Sequence, residues 1–327
     1  MYMFQVKCIL FYLPILFYKL VKRAKKQRAF AQLFWNNFFS ENEKNMITKR
    51  NWRRINDYPF QFIVFFAEWC ADLREKPISD NERTIITLYA GGLCLYDDFF
   101  DNELLEKQDL KSIYFGKYIN ENNTNEIYIF NKIQQAFIKK YEFSEIFTAE
   151  FLHFYNAQLQ SQAQLKNLLS SSELKKISFD KGGLALVLSW LLLLPNFTQK
   201  ERDFVYEVGA WFQILDDILD IGTDKKNNIQ TLATHSESIE YLENLLAEQT
   251  KIIKELLKNL PYSPKKIKQT LYFLEIIGTS GKVHLYKLKQ IEQKKKLKLK
   301  DFHLEDLEWK QNDKKNFWIA FKFWIKK

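Results

Sequence analysis

The sequence predicts an all-α fold in which long helices form a single-domain bundle. Only nine Gly and six Pro occur among 327 residues, which is fewer turn formers than a β fold of this length needs. Leu, Lys, Glu, Gln and Ile are abundant, and this composition favours helices. Apolar residues make up 46% of the chain, enough for a sizeable core. No run of alternating β-branched residues lies between hairpin turns, so we expect no strands.

Segments with helical periodicity, each roughly 15 to 40 residues long, alternate with short polar or Gly- and Pro-containing stretches. Two of these segments, 83–107 and 199–221, are each predicted to be one helix, the second with Thr198 as its N-cap. None of the intervening stretches resembles a domain linker. We predict helix breaks at 40–44, 75–81, 120–125, 195–200, 222–228, 260–265 and 278–281.

The N-terminal region is predicted to be an amphipathic helix. Its apolar run at 8–18 contains eleven residues and is interrupted by Pro14, whereas a membrane span needs about twenty. Basic residues follow this run instead of preceding it, which is the reverse of a signal peptide. Contact of this helix with a membrane surface is a second interpretation.

Two acidic clusters are the most informative feature of the chain. Residues 97–101 read Asp-Asp-Phe-Phe-Asp and residues 216–220 read Asp-Asp-Ile-Leu-Asp, each continuing an apolar, helix-patterned stretch. The first and last aspartates of such a pentad lie about 40° apart around a helix, so they project from one face. Carboxylates are rarely buried unless they are paired or bind metal. We predict two facing carboxylate pairs that hold Mg²⁺ on a substrate phosphate, the alternative being two solvated helix faces.

A third feature lies between the acidic clusters, where Lys181 precedes Gly182 and Gly183 in an apolar helical pattern. Adjacent glycines predict a helix break that would free backbone N–H groups to meet an anion beside the Lys181 ammonium. Relief of close helix packing is the alternative role for these glycines.

Other chemistry is not supported by the composition. Three isolated Cys and four scattered His provide neither a disulfide framework, a zinc site nor a Ser-His-Asp triad. A reducing cytoplasm fits this cysteine usage best.

The net charge of +9 is concentrated at the C-terminal end, because residues 281–327 contain fourteen Lys and six acidic residues. Residues 317–327 mix aromatic residues with lysines, as interfacial segments do. This tail is predicted either to contact a membrane or to pack its aromatic residues on the body. We expect no nucleic-acid partner, because the body shows no basic face.

These motifs resemble the class I isoprenoid synthase superfamily, which includes trans-prenyl diphosphate synthases and class I terpene synthases. Residues 97–101 match its first motif, DDxxD. Residues 209–220 match the second motif of the prenyl synthase branch, GxxFQxxDDxxD, at every defined position. Asp224 falls where that branch often has a further acid, and residues 181–183 resemble its diphosphate-binding helix break. The resemblance spans about 82–234.

The resemblance implies a helical bundle with a central active-site cavity. It implies one domain over 1–327, with an N-terminal helix region at 1–45, a catalytic core at 46–280 and a basic, aromatic tail at 281–327. Three Mg²⁺ ions, with Mn²⁺ as a substitute, would bridge both acidic clusters and an allylic prenyl diphosphate. Metal ligands would be drawn from Asp97, Asp98, Asp101, Asp216, Asp217, Asp220 and Asp224. Asp97, Asp101, Asp216 and Lys181 are the implied catalytic residues.

The resemblance also suggests which residues contact the substrate. The carbocation left by ionisation needs a dry pocket with π-faces. Tyr89 and Leu93 lie two and one helical turns before Asp97, so both are candidates for that pocket. The other pocket candidates are Phe65, Phe66, Trp69 and Phe212. The diphosphate-binding candidates are Lys181, Gln213, Lys225 and Lys226.

Departures from the prenyl synthase pattern decide which reaction we expect. The GGKR-type segment and the Arg-Arg pair that bind a second diphosphate in elongating enzymes are both missing. We therefore expect a terpene synthase that ionises one prenyl diphosphate and cyclises or quenches the cation. Chain elongation with isopentenyl diphosphate is the alternative, with Arg53, Arg54 or the tail supplying the cations. Head-to-head condensation, a non-catalytic prenyl diphosphate-binding or partner subunit, and a homodimeric assembly are further interpretations.

Overall fold

The structure is a computed structural model that describes residues 2–62, 66–101, 105–118, 124–166, 168–309, 316, 319–320 and 323. Within these ranges, the side chains of 2–17, 19–20, 60–62, 101 and 166 lie outside the description. Every regular element in the described part of the chain is helical. The predicted all-α class is therefore confirmed, while the isoprenoid synthase type and its central cavity stay predictions.

The chain forms two compact units. The N-terminal unit comprises Phe11–Ala149 and Ser189–Pro195, and the C-terminal unit comprises Met1–Leu10, Glu150–Leu188 and Asn196–Lys327. The helices lying mainly in the N-terminal unit are α1 (Tyr2–Phe38), α2 (Glu41–Met46), α3 (Lys49–Phe62), α4 (Glu68–Leu73), α5 (Asp80–Asp101), α6 (Lys107–Tyr114) and α7 (Asn125–Lys140). Those lying mainly in the C-terminal unit are α8 (Glu145–Ser161), α9 (Ala163–Lys166), α10 (Ser171–Leu191), α11 (Gln199–Leu219), α12 (Ile221–Lys226), α13 (Ile239–Lys258), α14 (Pro264–Lys295) and α15 (Leu304–Leu307), with a 3₁₀ turn at Leu299–Asp301.

Helix α5 is the centre of the N-terminal unit and packs chiefly against α3 and α7. Its first turns carry Arg83, which is only 3% exposed. The Arg83 guanidinium donates to the Gln27 side-chain oxygen at 2.7 Å and pairs with Glu68 at 3.3 Å. A buried charge needs such partners, because an unpaired one would cost several kcal/mol. These contacts fix α5 between α1 and α4.

Helix α11 is the centre of the C-terminal unit and packs chiefly against α13 and α14. It begins at a capping box in which the Thr198 hydroxyl accepts from the Glu201 backbone N–H and the Glu201 carboxylate accepts from the Thr198 N–H. The predicted N-cap at Thr198 is confirmed. The predicted helix at 83–107 is confirmed only in part, because α5 ends at Asp101 and α6 begins at Lys107.

The breaks predicted around proline are confirmed, whereas the break predicted at 278–281 is wrong. Interruptions occur within 75–81, 195–200 and 260–265. By contrast, α14 continues through Gly278 and Gly281, where an added Cβ would lie 2.7 Å from the Trp211 ring and 2.6 Å from Leu215.

The helix break predicted at Gly182 and Gly183 is also wrong, because α10 runs continuously from Ser171 to Leu191. These two glycines and Gly209 of α11 form a close helix crossing. A Cβ on Gly209 would collide with the Gly182 backbone oxygen, and one on Gly183 would lie 2.5 Å from the Tyr206 ring. The glycines therefore bring two backbones together and leave no N–H groups free in mid-helix.

Two further break predictions are confirmed in part, and one lies mostly outside the described residues. Ser40 separates α1 from α2 and caps α2 through a capping box with Glu43. Segment 222–228 is mostly helix α12, and the break lies at its last two residues, Asn227 and Asn228. Residues 120–123 lie outside the described residues, and α7 begins directly after them at Asn125. The N-terminal helix α1 passes through Pro14 without ending.

Of the helices that the structure describes, none is both long and apolar enough to cross a bilayer. The aromatic tail at 317–327 falls almost wholly outside the described residues. Among its described residues, Phe323 packs its ring against Tyr286 of α14 with centroids 6.0 Å apart, so contact with the body is present at this point, while contact with a membrane stays a prediction.

Replacing Gly209 by alanine is expected to push α10 and α11 apart. The added methyl group has no room beside Gly182, so we expect a loss of about 1–3 kcal/mol in unfolding free energy by urea denaturation. Gly92→Ala is the matched control, because its nearest neighbour would lie 3.4 Å away. That variant should be neutral or gain about 0.5 kcal/mol from the helix preference of alanine. Equal stability of the two variants would contradict the close crossing.

Candidate functional site

The second acidic cluster lies where α11 passes into α12. Asp216 is in the last turn of α11, Asp220 is the C-cap and Asp224 lies on α12. The Asp220 N–H donates to the Asp216 carbonyl at 2.8 Å, and the Asp224 N–H donates to the Asp220 carbonyl at 2.8 Å. Helical hydrogen bonding thus continues through the junction and places the three carboxylates along one face. This extends the predicted pair to a row of three.

Asp217 has a different environment from those three residues. It is 3% exposed, and its carboxylate accepts from the Ser178 hydroxyl at 3.0 Å and the Gln213 side-chain nitrogen at 3.0 Å. The Leu232 backbone N–H is a third donor. Burial raises the pKa of Asp217, and the donors oppose that shift. Asp217 therefore ties α10, α11 and the segment after α12 together.

The row of three carries negative charge with little compensation. Burial, followed by repulsion from Asp220 and Asp217, raises the pKa of Asp216 to about 6. Burial and repulsion from the other three aspartates raise the pKa of Asp224 to about 7. Burial likewise raises the pKa of Asp220. The Asp216 carboxylate is solvent-accessible yet surrounded by enough protein for desolvation to dominate, which describes a group in a recess.

The positive charge of Lys181 acts on this row of aspartates. Its ammonium opposes the raised pKa values of Asp216, Asp217 and Asp224. The close crossing at Gly182 and the adjoining glycines brings α10 near enough to α11 for this effect. The predicted proximity of Lys181 to the second cluster is present, although the helix break that was expected to create it is not.

The remaining residues predicted to bind diphosphate have different surroundings. The Gln213 side-chain nitrogen donates to Asp216 at 3.3 Å as well as to Asp217. The Lys225 ammonium donates to the backbone oxygens of Lys300 at 3.0 Å and Phe302 at 2.9 Å, so its hydrogen bonds go to the backbone at 300–302. Lys226 is exposed.

The first acidic cluster belongs to the N-terminal unit, at the end of α5. Asp98 is 8% exposed and forms a bidentate pair with Arg50, at 3.0 and 3.3 Å, and an ion pair with Arg54. Asp97 is half-buried, and its charge contributes to the raised pKa of Tyr58, which burial dominates. The side chain of Asp101 lies outside the described residues.

The sequence did not identify Arg50, and it identified Arg54 only as a possible cation, without its partner Asp98. Arg50 and Arg54 are four residues apart on α3, so both reach the same carboxylate. Arg53, which was considered with Arg54 as a cation source, is exposed. The i, i+4 spacing of the arginines is a signal in the sequence, but their partner is 48 and 44 residues away. Ser178 was missed for the same reason.

The aromatic pocket candidates are mainly core residues. Trp69 and Phe66 are each 4% exposed and pack against Trp190 with ring centroids 5.4 and 5.7 Å apart. Tyr89 is 3% exposed, and burial raises the pKa of its hydroxyl. Phe65 lies outside the described residues, and Leu93 and Phe212 are half-buried.

A magnesium site fits the second cluster by its donors and charge. All of its ligand candidates are carboxylate oxygens, which Mg²⁺ prefers, and their raised pKa values mean that a bound cation would favour their ionised forms. Among the described side chains, no three His, Cys, Asp or Glu converge tightly enough to form a ready metal cage.

Comparison of the chain with protein-family models, with curated proteins and with solved structures gives no match.

Magnesium is expected to stabilise the protein more at pH 8 than at pH 5.5. Because the pKa of Asp224 is raised from 3.8 to about 7, the metal-free folded state binds a proton more tightly than the unfolded state. Its stability should fall as pH rises between these values. Bound Mg²⁺ removes that repulsion above pH 7. Thermal unfolding with Mg²⁺ or EDTA at both pH values measures the difference.

Asp224→Asn should raise the melting temperature of the metal-free protein at pH 8 and reduce the gain from Mg²⁺. Asp203→Asn, an exposed aspartate on α11, is the control and should change neither. An equal Mg²⁺ effect at both pH values would contradict the charge argument.

Proposed function

We propose that this protein is a Mg²⁺-dependent class I terpene synthase that ionises an allylic prenyl diphosphate. The observation that carries the proposal is the row Asp216, Asp220 and Asp224, with raised pKa values and Lys181 nearby. Such a row of acids would be unfavourable without a polyvalent cation. The diphosphate motifs in the sequence indicate what that cation would carry.

In the proposed reaction, the bond between the allylic carbon and the diphosphate oxygen breaks heterolytically. The electron pair leaves with diphosphate, and an allylic carbocation remains. Mg²⁺ would supply Lewis-acid neutralisation of the leaving group when bound. Asp216, Asp220 and Asp224 would hold it, and the Lys181 ammonium would stabilise charge growing on the diphosphate oxygens.

Neighbouring residues would fix this arrangement. Ser178 and Gln213 anchor Asp217, so the face carrying Asp216 is held at a set rotation about α11. Gln213 also donates to Asp216, which orients one carboxylate oxygen and leaves the other for a ligand. The carbocation then cyclises, which moves its charge to another carbon, or stays linear, and in either case it is quenched by loss of a proton or by capture of water.

Chain elongation is the second candidate, and Arg50 and Arg54 favour it. The sequence lacks the usual basic motifs for a second diphosphate, but α3 brings two guanidiniums to the first acidic cluster. A single carboxylate, that of Asp98, pairs with both guanidiniums. Arg50 is 62% exposed in its side chain, so it is accessible to a second diphosphate.

Asp216→Asn is expected to lower diphosphate release from an allylic substrate by at least about 100-fold, because the amide is a poor Mg²⁺ ligand. Its folding should be unimpaired, because the substitution also removes repulsion. Asp203→Asn on the same helix is the control and should retain wild-type turnover. Release is followed with allylic diphosphates of ten, fifteen, twenty and twenty-five carbons. Wild-type turnover by Asp216→Asn would rule out the site.

Adding isopentenyl diphosphate distinguishes the two reactions. A terpene synthase should release diphosphate from the allylic substrate alone and form a hydrocarbon or alcohol. An elongating enzyme should need both substrates and form a longer linear diphosphate. In the second case Arg50→Gln should raise the KM for isopentenyl diphosphate about tenfold, as expected for a lost charge-assisted contact. In the first case it should leave turnover of the allylic substrate nearly unchanged.

A further inference from the structure

Helix α12 is too short to be stable without contacts to other parts of the chain. It has six residues, whereas isolated helices below about 12 residues are marginal even with favourable sequences. It follows α11 directly after Asp220, whose backbone departs from helical geometry at φ −97° and ψ 9°. The position of Asp224 relative to Asp216 and Asp220 therefore depends on what packs against α12.

That packing partner is a segment at 299–309, which we call the C-terminal strap. It comprises the 3₁₀ turn at Leu299–Asp301 and helix α15. Helix α12 packs more extensively against α15 than against α11. At Gly222 an added Cβ would lie 3.1 Å from the Leu307 backbone oxygen, so the strap backbone lies directly on α12.

Lys225 fastens the strap to α12 at a second point. Its ammonium donates to the Lys300 and Phe302 backbone oxygens at 3.0 and 2.9 Å. Charge-assisted bonds of this kind are roughly twice as strong as neutral ones. They hold Lys225 on the face of α12 that meets the strap, one residue after Asp224.

The other side of the strap is anchored to α14. The buried His284 ring hydrogen-bonds the Leu307 backbone oxygen, and Trp309 packs against that ring at 5.2 Å. Lys295 pairs with Asp306 at 2.7 Å. Leu307 is 1% exposed, so the strap is part of the core of its unit. A continuous chain of contacts therefore runs from α14 through the strap to α12.

We propose that the C-terminal strap positions the metal-binding row, with Lys225 and Gly222 as positioning residues that hold Asp224 in line with Asp216 and Asp220. This inference rests on the proposed function for the metal, but the fastening of α12 is independent of it. It gives Lys225 a role different from direct diphosphate binding. It also makes the C-terminal segment part of the acidic site.

The test compares Lys225→Met with Lys225→Arg and with Lys298→Met. Methionine keeps the length of the side chain and removes its donors, whereas arginine keeps a donor. Lys298 is an exposed lysine just before the strap and serves as the matched control. The full-length protein is used throughout, and urea unfolding verifies that each variant is folded.

Two measurements are made on each variant. The first is amide hydrogen exchange of 221–229 in EDTA, which reports the fastening of α12 without metal. The second is Mn²⁺ affinity by electron paramagnetic resonance. Lys225→Met should speed exchange and weaken Mn²⁺ binding, each by about tenfold, as expected for the loss of an ordinary charge-assisted hydrogen bond. Lys225→Arg should restore most of both, and Lys298→Met should match wild type.

The outcomes separate the two proposals. Unchanged exchange in Lys225→Met would overturn the fastening of α12 by the strap. Faster exchange with unchanged Mn²⁺ affinity would overturn the coupling to the metal row. If wild-type protein binds no Mn²⁺, the proposed function and the coupling both fail, while the exchange result still decides the fastening.

Gly222→Val provides a second variant that does not touch the lysine. Its side chain would push against the Leu307 backbone, which lies 3.1 to 3.2 Å from the position of an added Cβ. It should reproduce both effects of Lys225→Met, and wild-type values for both would overturn the proposal.

Discussion

The close crossing of α10 and α11 is the constraint on which the candidate site depends. Gly209 meets Gly182 backbone to backbone, and no side chain fits between them. A methyl group on either residue would separate the helices and move Lys181 away from the aspartates of α11. The Coulomb effect of a cation falls with distance and with the water that fills the gap. Three glycines therefore set the electrostatics of a site to which they contribute no functional group.

The second acidic cluster divides two tasks among adjacent aspartates. Asp217 receives bonds from Ser178, Gln213 and the Leu232 N–H, so its buried charge is compensated by fixed donors. Asp216, its neighbour in sequence, points to solvent and receives one long bond from Gln213. A helix turns by about 100° per residue, so adjacent aspartates project in different directions. The buried Asp217 carboxylate fixes the rotation of α11 about its axis, and that rotation determines the direction in which Asp216 projects.

The sequence predicted the features whose signals are local. The pentads at 97–101 and 216–220, the N-cap at Thr198 and the interruptions near proline all depend on residues within a few positions of one another. Glycine in mid-helix was misinterpreted because its cost of about 1 kcal/mol is easily offset by tertiary packing. Gly278 against Trp211 shows that offset. Pairing of Arg50 with Asp98 spans 48 residues, and a single sequence does not reveal a partner at that distance.

The acidic row crosses the junction between α11 and α12, so the helix that carries Asp216 does not by itself hold Asp224 in position. Asp216 and Asp220 share the hydrogen bonds of α11, but Asp224 is joined to them by a single further turn that begins at a non-helical residue. Burial and like charges together raise the pKa of Asp224 to about 7, so its ionised form is unfavourable beside Asp216 and Asp220. Contacts between α12 and the C-terminal strap can oppose a displacement of Asp224. The donors of Lys225 and the close approach at Gly222 provide them, so the spacing of the acidic row is set by packing behind it as well as by the helix that carries it.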